Sequence, residues 1–454
     1  MPYISLNPAT NKTLKTYMSW NRNRLAEALE QTYRAQPGWA RLGFPERAEL
    51  MHRAASLLHE RAAEYAILIA AEMGKPVREG RAEVEKCALV CDYYAVHAEH
   101  FMQIEMVQTG AGKSYVSYEP LGVVLGVMPW NFPFFQVIRF AAPTLMAGNG
   151  CVLKHASNVP QCALALERLF QDAGFPPHLF STLMIESSEV GEAIASHHVQ
   201  AVTLTGSERA GREIASHAGQ HLKKCVMELG GSDAFIVLKD ADLELAATFA
   251  VRSRFQNCGQ SCIAAKRIIP VADIADEFGS LLIKKTKELK MGDPLNEATQ
   301  VGPMARLDLR ENLHQQVTDS IAQGAQVVLG CEPREGEGAF YLPSILDGVT
   351  AAMRAYHEEL FGPVAAVIRA ADEEDAIRIA NDTRFGLGSS IWSRDTEHAE
   401  ELAHRIQAGC SFINGMVRSD PRLPFGGTKN SGFGRELSYH GIREFVNVKT
   451  VWVR

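Results

Sequence analysis

The sequence predicts an α/β protein with two doubly wound parallel-sheet domains and a small additional β element. Short apolar and β-branched runs alternate with helix-like segments from residue 120 onward, which is typical of buried parallel strands joined by crossover helices. The pattern restarts at Gly231. A chain of 454 residues is also too long for a single compact core.

The first domain is expected to combine residues 1–105 with residues 120–229. Residues 22–105 carry apolar side chains at helical spacing, with Gly74 as a C-terminal stop. Strands are expected at LGVVLGVM, GCVLKHA, FSTLMI, VQAVTLTG and KKCVMELGG.

The second domain is expected to span residues 230–430. Its strand-like runs are DAFIVLKD, AAKRIIPV, AQVVLG, PVAAVIRA, SSIWSR and CSFING. Two further segments, 106–119 and 431–454, contain the alternating runs SYVSYEP and EFVNVKTVWVR. Such alternation favours half-exposed strands, so these segments are assigned to the small β element.

Composition and charge exclude several classes of protein. A formal net charge of −7 argues against nucleic acid or an anionic membrane as the main partner. The N-terminus lacks a signal-peptide pattern, and prolines interrupt the most apolar stretch; we expect a cytoplasmic protein. Nine scattered cysteines include no CxxC pair, so no metal site is expected.

Unusual residues follow four of the predicted strands, where open parallel sheets bind ligands. They are PWNFP (129–133), KHAS (154–157), TGSERAG (205–211) and ELGG (228–231). Gly206 and Ser207 in the third could begin a phosphate-binding helix, although a capped helix without a ligand is an equal alternative. Lys154 could bond a ribose or phosphate, or reach solvent.

Glu228 and Asn131 are candidates for chemistry. Partial burial beside the sheet would raise the pKa of Glu228 toward that of a general base, and a structural glutamate is the alternative. The Asn131 amide could donate to an oxyanion, or could organise its Pro-rich turn.

The stretch FQNCGQSC (255–262) contains two cysteines four residues apart. Cys262 follows a Gly-Gln turn, where a following helix could offer N–H groups and lower the thiol pKa. Cys258 has no such feature. We interpret it as a packed thiol, with a reversible Cys258–Cys262 disulfide as the alternative.

Together these residues closely resemble the aldehyde dehydrogenase superfamily over nearly the whole chain. The resemblance includes PWNFP, the Lys154 stretch, TGSERAG, ELGG, FQNCGQSC, EELFGP (358–363) and PFGGTKNSGFGRE (424–436), in the same order and spacing. It implies that Cys262 is the nucleophile, Glu228 the general base that activates a water, and Asn131 the oxyanion donor together with the Cys262 backbone N–H. The product forms through a thiohemiacetal and a thioester.

The resemblance also implies a nicotinamide cofactor, NAD or NADP. The matching contact positions are Trp130, Lys154, Ser157, Gly206, Ser207, Glu359 and Phe361. His155 replaces the proline that usually follows the lysine. Ser157 stands where NAD-preferring members often carry a glutamate that repels a 2′-phosphate, so we expect both cofactors to be used.

Arg139 lies on the otherwise apolar segment FPFFQVIRFAAP and needs an anionic partner. In succinate-semialdehyde dehydrogenases a matching arginine binds the substrate carboxylate; an internal ion pair is the alternative. A second arginine of that subgroup is replaced by Gln256. Ser419 matches a carboxylate-binding serine, and Arg418 beside it could supply the missing charge.

The resemblance therefore implies oxidation of succinate semialdehyde to succinate. The alternative is a broad-range enzyme for glutarate semialdehyde or small neutral aldehydes. A structural protein without turnover would have lost Cys262 or Glu228, and a thiol hydrolase would need a histidine that cannot be assigned. The alternating strands imply a homodimer or a dimer of dimers.

Overall fold

The computed structural model describes residues 3–454. The strands are β1 Tyr3–Leu6, β2 Thr13–Tyr17, β3 Glu105–Met106, β4 Lys113–Pro120, β5 Val123–Met128, β6 Gly150–His155, β7 Phe180–Thr182, β8 Val199–Thr205, β9 Lys224–Glu228, β10 Asp233–Val237, β11 Ala265–Pro270, β12 Gln326–Leu329, β13 Ser344–Asp347, β14 Val364–Val367, β15 Gly388–Trp392, β16 Cys410–Ile413, β17 Gly432–Phe433 and β18 Val446–Val453.

The α-helices are α1 Arg22–Ala40, α2 Phe44–Glu60, α3 Ala62–Met73, α4 Val77–Phe101, α5 Phe135–Met146, α6 Pro160–Asp172, α7 Val190–Ala195, α8 Glu208–Gln220, α9 Leu243–Phe255, α10 Ala275–Lys287, α11 Leu307–Ala322, α12 Arg354–His357, α13 Glu373–Asn381, α14 Thr396–Ala403 and α15 Ser438–Arg443. The first four form the helical region predicted before residue 105, and Gly74 ends α3 in the left-handed conformation.

The first large sheet has the strand order β17-β9-β8-β5-β6-β7. All neighbours are parallel except β17, which is antiparallel to β9. Strands β5, β6 and β8 are almost wholly buried, because helices cover both faces. The chain reverses its direction across the sheet between β5 and β8, so this sheet has a switch point at their carboxyl ends.

The second large sheet has the order β12-β13-β14-β11-β10-β15-β16, antiparallel only at β12. Four residues separate the end of β9 from the start of β10. The carboxyl end of the first sheet therefore leads directly to the amino end of the second. The predicted fold, with two doubly wound domains, is confirmed.

A third, three-stranded sheet has the order β18-β4-β3 and is antiparallel throughout. It contains both alternating runs identified in the sequence. The segment 431–454, assigned as a whole to this element, is divided in the structure: β17 joins the first sheet, α15 packs on α4 and α5, and only β18 pairs with β4. No helix within residues 3–454 is long and apolar enough to cross a membrane.

Candidate active site

The loop from residue 256 to residue 264 carries Cys262 and joins α9 to β11. Asn257, Cys258 and Gly259 all have left-handed backbone angles, with φ of 54°, 54° and 69°. Such a run is strained for non-glycine residues. Cys262 therefore lies just before the amino end of β11, next to the carboxyl end of the first sheet.

The expected helix after Cys262 is absent from this part of the described chain, since the loop leads into β11. The expectation of a lowered thiol pKa was therefore wrong. Burial raises the pKa of the Cys262 thiol to about 12, although Lys266 and Arg139 act in the opposite direction. Without helix N–H groups nearby, desolvation of the thiolate dominates.

Asn131 binds directly to the 256–264 loop. Its Nδ2 donates to the Gln260 carbonyl oxygen at 3.1 Å, and the Asn257 Nδ2 donates to the Asn131 carbonyl oxygen at 2.7 Å. The Cys262 backbone N–H makes no hydrogen bond to any protein acceptor in the described chain. The second hydrogen of the Asn131 Nδ2 and the Cys262 backbone N–H are thus available to an oxyanion.

Glu228 ends β9 and is 2% exposed. Burial, followed by the neighbouring Glu436 carboxylate, raises its pKa well above the usual value. Its Oε1 has no hydrogen-bond partner in the described chain. A buried carboxyl group of this kind can hold a proton at neutral pH and release it to a suitable acceptor.

Arg139 forms the internal ion pair that was the alternative to substrate binding. Its Nε lies 2.5 Å from Oε2 of Glu436, without hydrogen-bond alignment, and its Nη2 donates to the Thr205 hydroxyl at 3.2 Å. The guanidinium also faces the Phe425 ring at 4.9 Å. Glu436, which is 5% exposed, therefore neutralises part of the Arg139 charge.

Glu359 precedes β14, and its side chain contacts the β9–β10 connection between the two large sheets. Its Oε1 pairs with Lys266 Nζ at 2.9 Å and accepts the Gly231 N–H at 3.2 Å. Lys266 also donates to the Cys262 carbonyl oxygen at 2.7 Å. A side chain at Gly231 would place its Cβ 2.7 Å from that same oxygen, so the close approach of the two backbones requires glycine here.

Lys154 and Ser157 line a cavity of about 730 Å³ at the carboxyl end of β6, here named the Lys154 cavity. Lys154 is 5% exposed, and within residues 3–454 its Nζ makes one hydrogen bond, to the Ser187 hydroxyl at 3.5 Å. Burial lowers its pKa to about 8. Gly206 and Ser207 follow β8, which is separated from β6 by β5, and Ser207 caps α8 by accepting the Ala210 N–H at 3.3 Å.

The PWNFP loop contacts Phe361 through Trp130 and contacts His155 through the Pro133 carbonyl oxygen. Trp130 and Phe361 meet edge to face, with ring centroids 5.8 Å apart. The Ala156 N–H donates to Nδ1 of His155 at 2.9 Å, and both ring nitrogens lie within hydrogen-bonding distance of a carbonyl oxygen, Nδ1 at 3.2 Å from that of Met128 and Nε2 at 2.9 Å from that of Pro133. His155 thereby ties β6 to the PWNFP loop.

A cavity of about 200 Å³, here named the Cys262 cavity, brings the predicted nucleophile and substrate residues together. Cys262, Arg139, Gln256 and Ser419 all line it, and so does Lys86 of α4. Arg418 also reaches its wall but is largely exposed. Lys154 and Ser157 belong to the other cavity.

Sequence reasoning missed Lys86, Lys266 and Glu436. Each is distant along the chain from the residue that it contacts: Lys86 from Ser419, Lys266 from Glu359, and Glu436 from Arg139. The only available signal was the position of Glu436 inside the GRE segment already singled out. Lys86 lies on α4, in the helical region that was predicted from its apolar spacing alone.

All nine cysteines are free thiols. Cys258 is 1% exposed and packs in the core of the second domain, whereas Cys262 packs against the core of the first. Burial raises the pKa of Cys258. Within residues 3–454 no group of three or more His, Cys, Asp or Glu residues could hold a metal ion.

The aldehyde dehydrogenase family model matches residues 2–451. The chain belongs to the aldehyde dehydrogenase family. It is 49% identical to a probable NADP-dependent succinate-semialdehyde dehydrogenase of Synechocystis over 100% of both chains. It is 46% identical to an NAD(P)-dependent succinate-semialdehyde dehydrogenase of Escherichia coli, covering 99% of this chain and 97% of the other.

A solved structure from Streptococcus pyogenes, succinic semialdehyde dehydrogenase in complex with NADP, superposes with a TM-score of 0.97 at 39% identity over 99% of each chain. The site of this family member suits a dinucleotide. Lys154 is a buried amino group whose one hydrogen bond within residues 3–454 is long, the Glu359 carboxylate lies at the junction of the sheets, and Ser207 caps a helix at the switch point.

Proposed function

We propose that this chain is an NAD(P)-dependent aldehyde dehydrogenase that oxidises succinate semialdehyde to succinate. The observation that supports the proposal is that Cys262 lines one small cavity together with Arg139, Ser419 and Gln256. The full-length similarity to enzymes named for this substrate supports it.

In the proposed reaction the Cys262 sulfur, once deprotonated, adds to the aldehyde carbon. The Asn131 amide and the Cys262 backbone N–H donate to the oxyanion that forms. A bound oxidised nicotinamide supplies the hydride acceptor, and the sulfur is then held as a thioester. Glu228 removes a proton from the attacking water, after which the acid leaves and the thiol is restored.

The cofactor contacts are proposed from the geometry of each residue. Lys154 and Ser157 face one cavity and would hold the adenosine ribose, with Gly206 and Ser207 beside the phosphates. Glu359 would accept hydrogen bonds from the second ribose, and its ion pair with Lys266 would loosen. The Trp130–Phe361 pair would pack near the nicotinamide. An uncharged Ser157 leaves room for a 2′-phosphate, so NADP is accepted as well as NAD.

The test is a panel of aldehydes with each cofactor. Succinate semialdehyde, glutarate semialdehyde and propanal are compared by kcat/KM, following reduced nicotinamide. We expect succinate semialdehyde to exceed both others by about tenfold, which is about 1.4 kcal/mol of transition-state preference. Equal turnover of all three would instead favour the broad-range alternative, which the replacement of an arginine by Gln256 keeps open.

We also propose a homodimer formed through the third sheet, with a dimer of dimers as the larger form. The outer edge of β18 is unpaired within the described chain, and Val448 and Trp452 on that strand are 61% and 55% exposed. Unpaired apolar edges favour pairing with a second chain. The nine free thiols support our proposal that the enzyme works in the reducing cytoplasm, which co-fractionation with cytosolic markers would test.

A further inference from the structure

The Cys262 cavity contains a second cation that the sequence did not identify. Lys86 projects from α4 and Arg139 from α5, and both line the cavity together with Ser419 from the loop after β16. The Lys86 Nζ donates to the Ser419 hydroxyl at 2.7 Å and lies 4.2 Å from the centre of the Phe135 ring. The amino group is therefore held at the cavity wall.

The two cations differ in how far protein carboxylates neutralise them. Arg139 pairs with Glu436 at 2.5 Å. Lys86 forms no ion pair with any carboxylate of residues 3–454, and its partners are a hydroxyl group and an aromatic ring. A partly buried ammonium with only neutral partners is available to an anion. Lys86 therefore has the larger uncompensated charge.

Lys86 lines the cavity in which Gln256 replaces the second positively charged residue of succinate-semialdehyde dehydrogenases. Gln256 stands in place of the second arginine of the resembled subgroup and lines the same cavity. Arg418, the substitute expected from sequence adjacency, is largely exposed. Lys86 instead contacts Ser419 from helix α4, although 333 residues separate the two along the chain.

We propose that Lys86 is the principal anchor for the carboxylate of an acidic aldehyde, acting with the Ser419 hydroxyl, while Arg139 orients the anion and stays paired with Glu436. This inference rests on the proposed function and deepens it. A cavity of about 200 Å³ is below the range of drug-sized ligand sites, so it suits a short chain between the carboxylate and the carbon attacked by Cys262.

The proposal carries a pH signature. Burial, followed by the charge of Arg139, lowers the pKa of Lys86 to about 8, and the anchor acts only in the protonated form. We expect the KM for an acidic aldehyde to rise above about pH 8, and that for a neutral aldehyde to stay flat. The charged and titratable groups around Lys86 are Arg139, Asp420, Arg418, Glu79, Glu83, Cys87 and Cys262.

The experiment compares Lys86→Met and Lys86→Arg with Lys287→Met, a control that removes an exposed lysine of α10. For Lys86→Met we expect kcat/KM for succinate semialdehyde to fall by about tenfold or more, with propanal changed by less than about twofold. Inhibition by succinate should weaken in parallel. Lys86→Arg should keep the preference and move the alkaline rise in KM to higher pH, and the control should match the parent.

The outcomes separate the two proposals. A parent enzyme without preference for acidic aldehydes overturns both the proposed substrate and the anchor. A parent with that preference, retained in Lys86→Met, overturns the anchor alone. If Lys86→Met does not fold, Lys86→Arg decides: an alkaline rise in KM left at its original pH excludes Lys86 as its source and overturns the inference.

Discussion

Burial controls the protonation of the two groups that are proposed to react, the Cys262 thiol and the Glu228 carboxyl. It raises the pKa of the thiol to about 12 and that of the carboxyl well above its usual value. In the proposed reaction both groups act after losing a proton. The resting site is therefore protonated, and reactivity should increase with pH.

We expect alkylation of Cys262 by iodoacetamide in the cofactor-free enzyme to accelerate without a plateau from about pH 6 to about pH 9. The reason is that the thiolate fraction grows about tenfold per pH unit below the thiol pKa. Mass spectrometry of the modified peptide measures the rate, with Cys258→Ser as the control for the neighbouring thiol. A plateau near neutral pH would contradict the raised pKa.

Ser157 is expected to determine how the enzyme chooses between NADP and NAD. Ser157→Glu places a carboxylate in the Lys154 cavity, where it repels a 2′-phosphate and can bond a ribose hydroxyl. We expect the NADP/NAD ratio of kcat/KM to fall by about tenfold or more. Asn158→Asp, which adds a negative charge at the next position of the same cavity, is the control, and an unchanged ratio in Ser157→Glu would remove Ser157 as the determinant.

Site residues that a local sequence pattern identifies could be predicted, whereas the side chains that they contact could not. Cys262, Glu228 and Asn131 follow strands or turns that the sequence marks clearly. The contact of Arg139 with Glu436 and that of Lys86 with Ser419 depend on how distant segments meet. The thiol pKa could not be predicted because it depends on the element after Cys262, which is a strand.

The 256–264 loop is held in its strained shape by elements on both sides. Arg254, at the end of α9, is fully buried, and its Nη2 donates to the carbonyl oxygens of Gly259 and Gly362, each at 2.6 Å. The Asn257 N–H donates to a Glu79 carboxylate oxygen at 2.8 Å. These bonds fix the loop against α4 and against the loop that carries Glu359.

We expect Arg254→Met to destabilise the protein, because two buried carbonyl groups lose their donor at about 1–3 kcal/mol each. The melting temperature should fall by about 4 °C or more, and kcat should decrease because Cys262 is displaced. Thermal unfolding and steady-state kinetics measure both. Arg252→Met, which changes an exposed arginine two residues earlier on the same helix, should have little effect on stability, and equal shifts in the two variants would refute the role given to Arg254.

At the scale of elements, strands with a clear apolar or alternating composition were predictable, including short ones such as β7, β12, β14 and β16. Strands β5, β6, β8, β10 and β11 are buried runs of this kind. The β1–β2 hairpin, β3, β13 and β17 were missed. They have two to five residues, and β17 exists because Gly432 and Phe433 meet the end of β9, a contact without a local signal.

The two large sheets meet head to tail, and this arrangement assembles the site from both domains. Glu228, Asn131 and Lys154 come from the carboxyl end of the first sheet, whereas Cys262 and Glu359 precede strands of the second. The doubly wound class was predictable from the repeated strand pattern. The opposite polarity of the sheets at the site was not, since it depends on the four-residue connection between β9 and β10.

The third sheet leads to a prediction about the assembled molecule. Val448→Lys combined with Trp452→Lys should convert the proposed oligomer into a monomer of 49.9 kDa, because two charges replace exposed apolar side chains on one face of β18. Light scattering measures the mass. Leu245→Lys, on the exposed surface of α9, is the control; a monomeric parent or an oligomeric double variant would exclude this interface.

The adjacent buried carboxylates of Glu228 and Glu436 have a consequence for the release of product. An acidic aldehyde enters with one negative charge, which Lys86 and Arg139 can balance. Oxidation converts the neutral aldehyde end into a second carboxylate beside Glu228, in a region where burial disfavours negative charge, as the raised pKa of Glu228 indicates. Because a carboxylate is costly where water is excluded, the region that accepts the uncharged aldehyde end disfavours the carboxylate formed there, and the reaction itself favours release of the dianion.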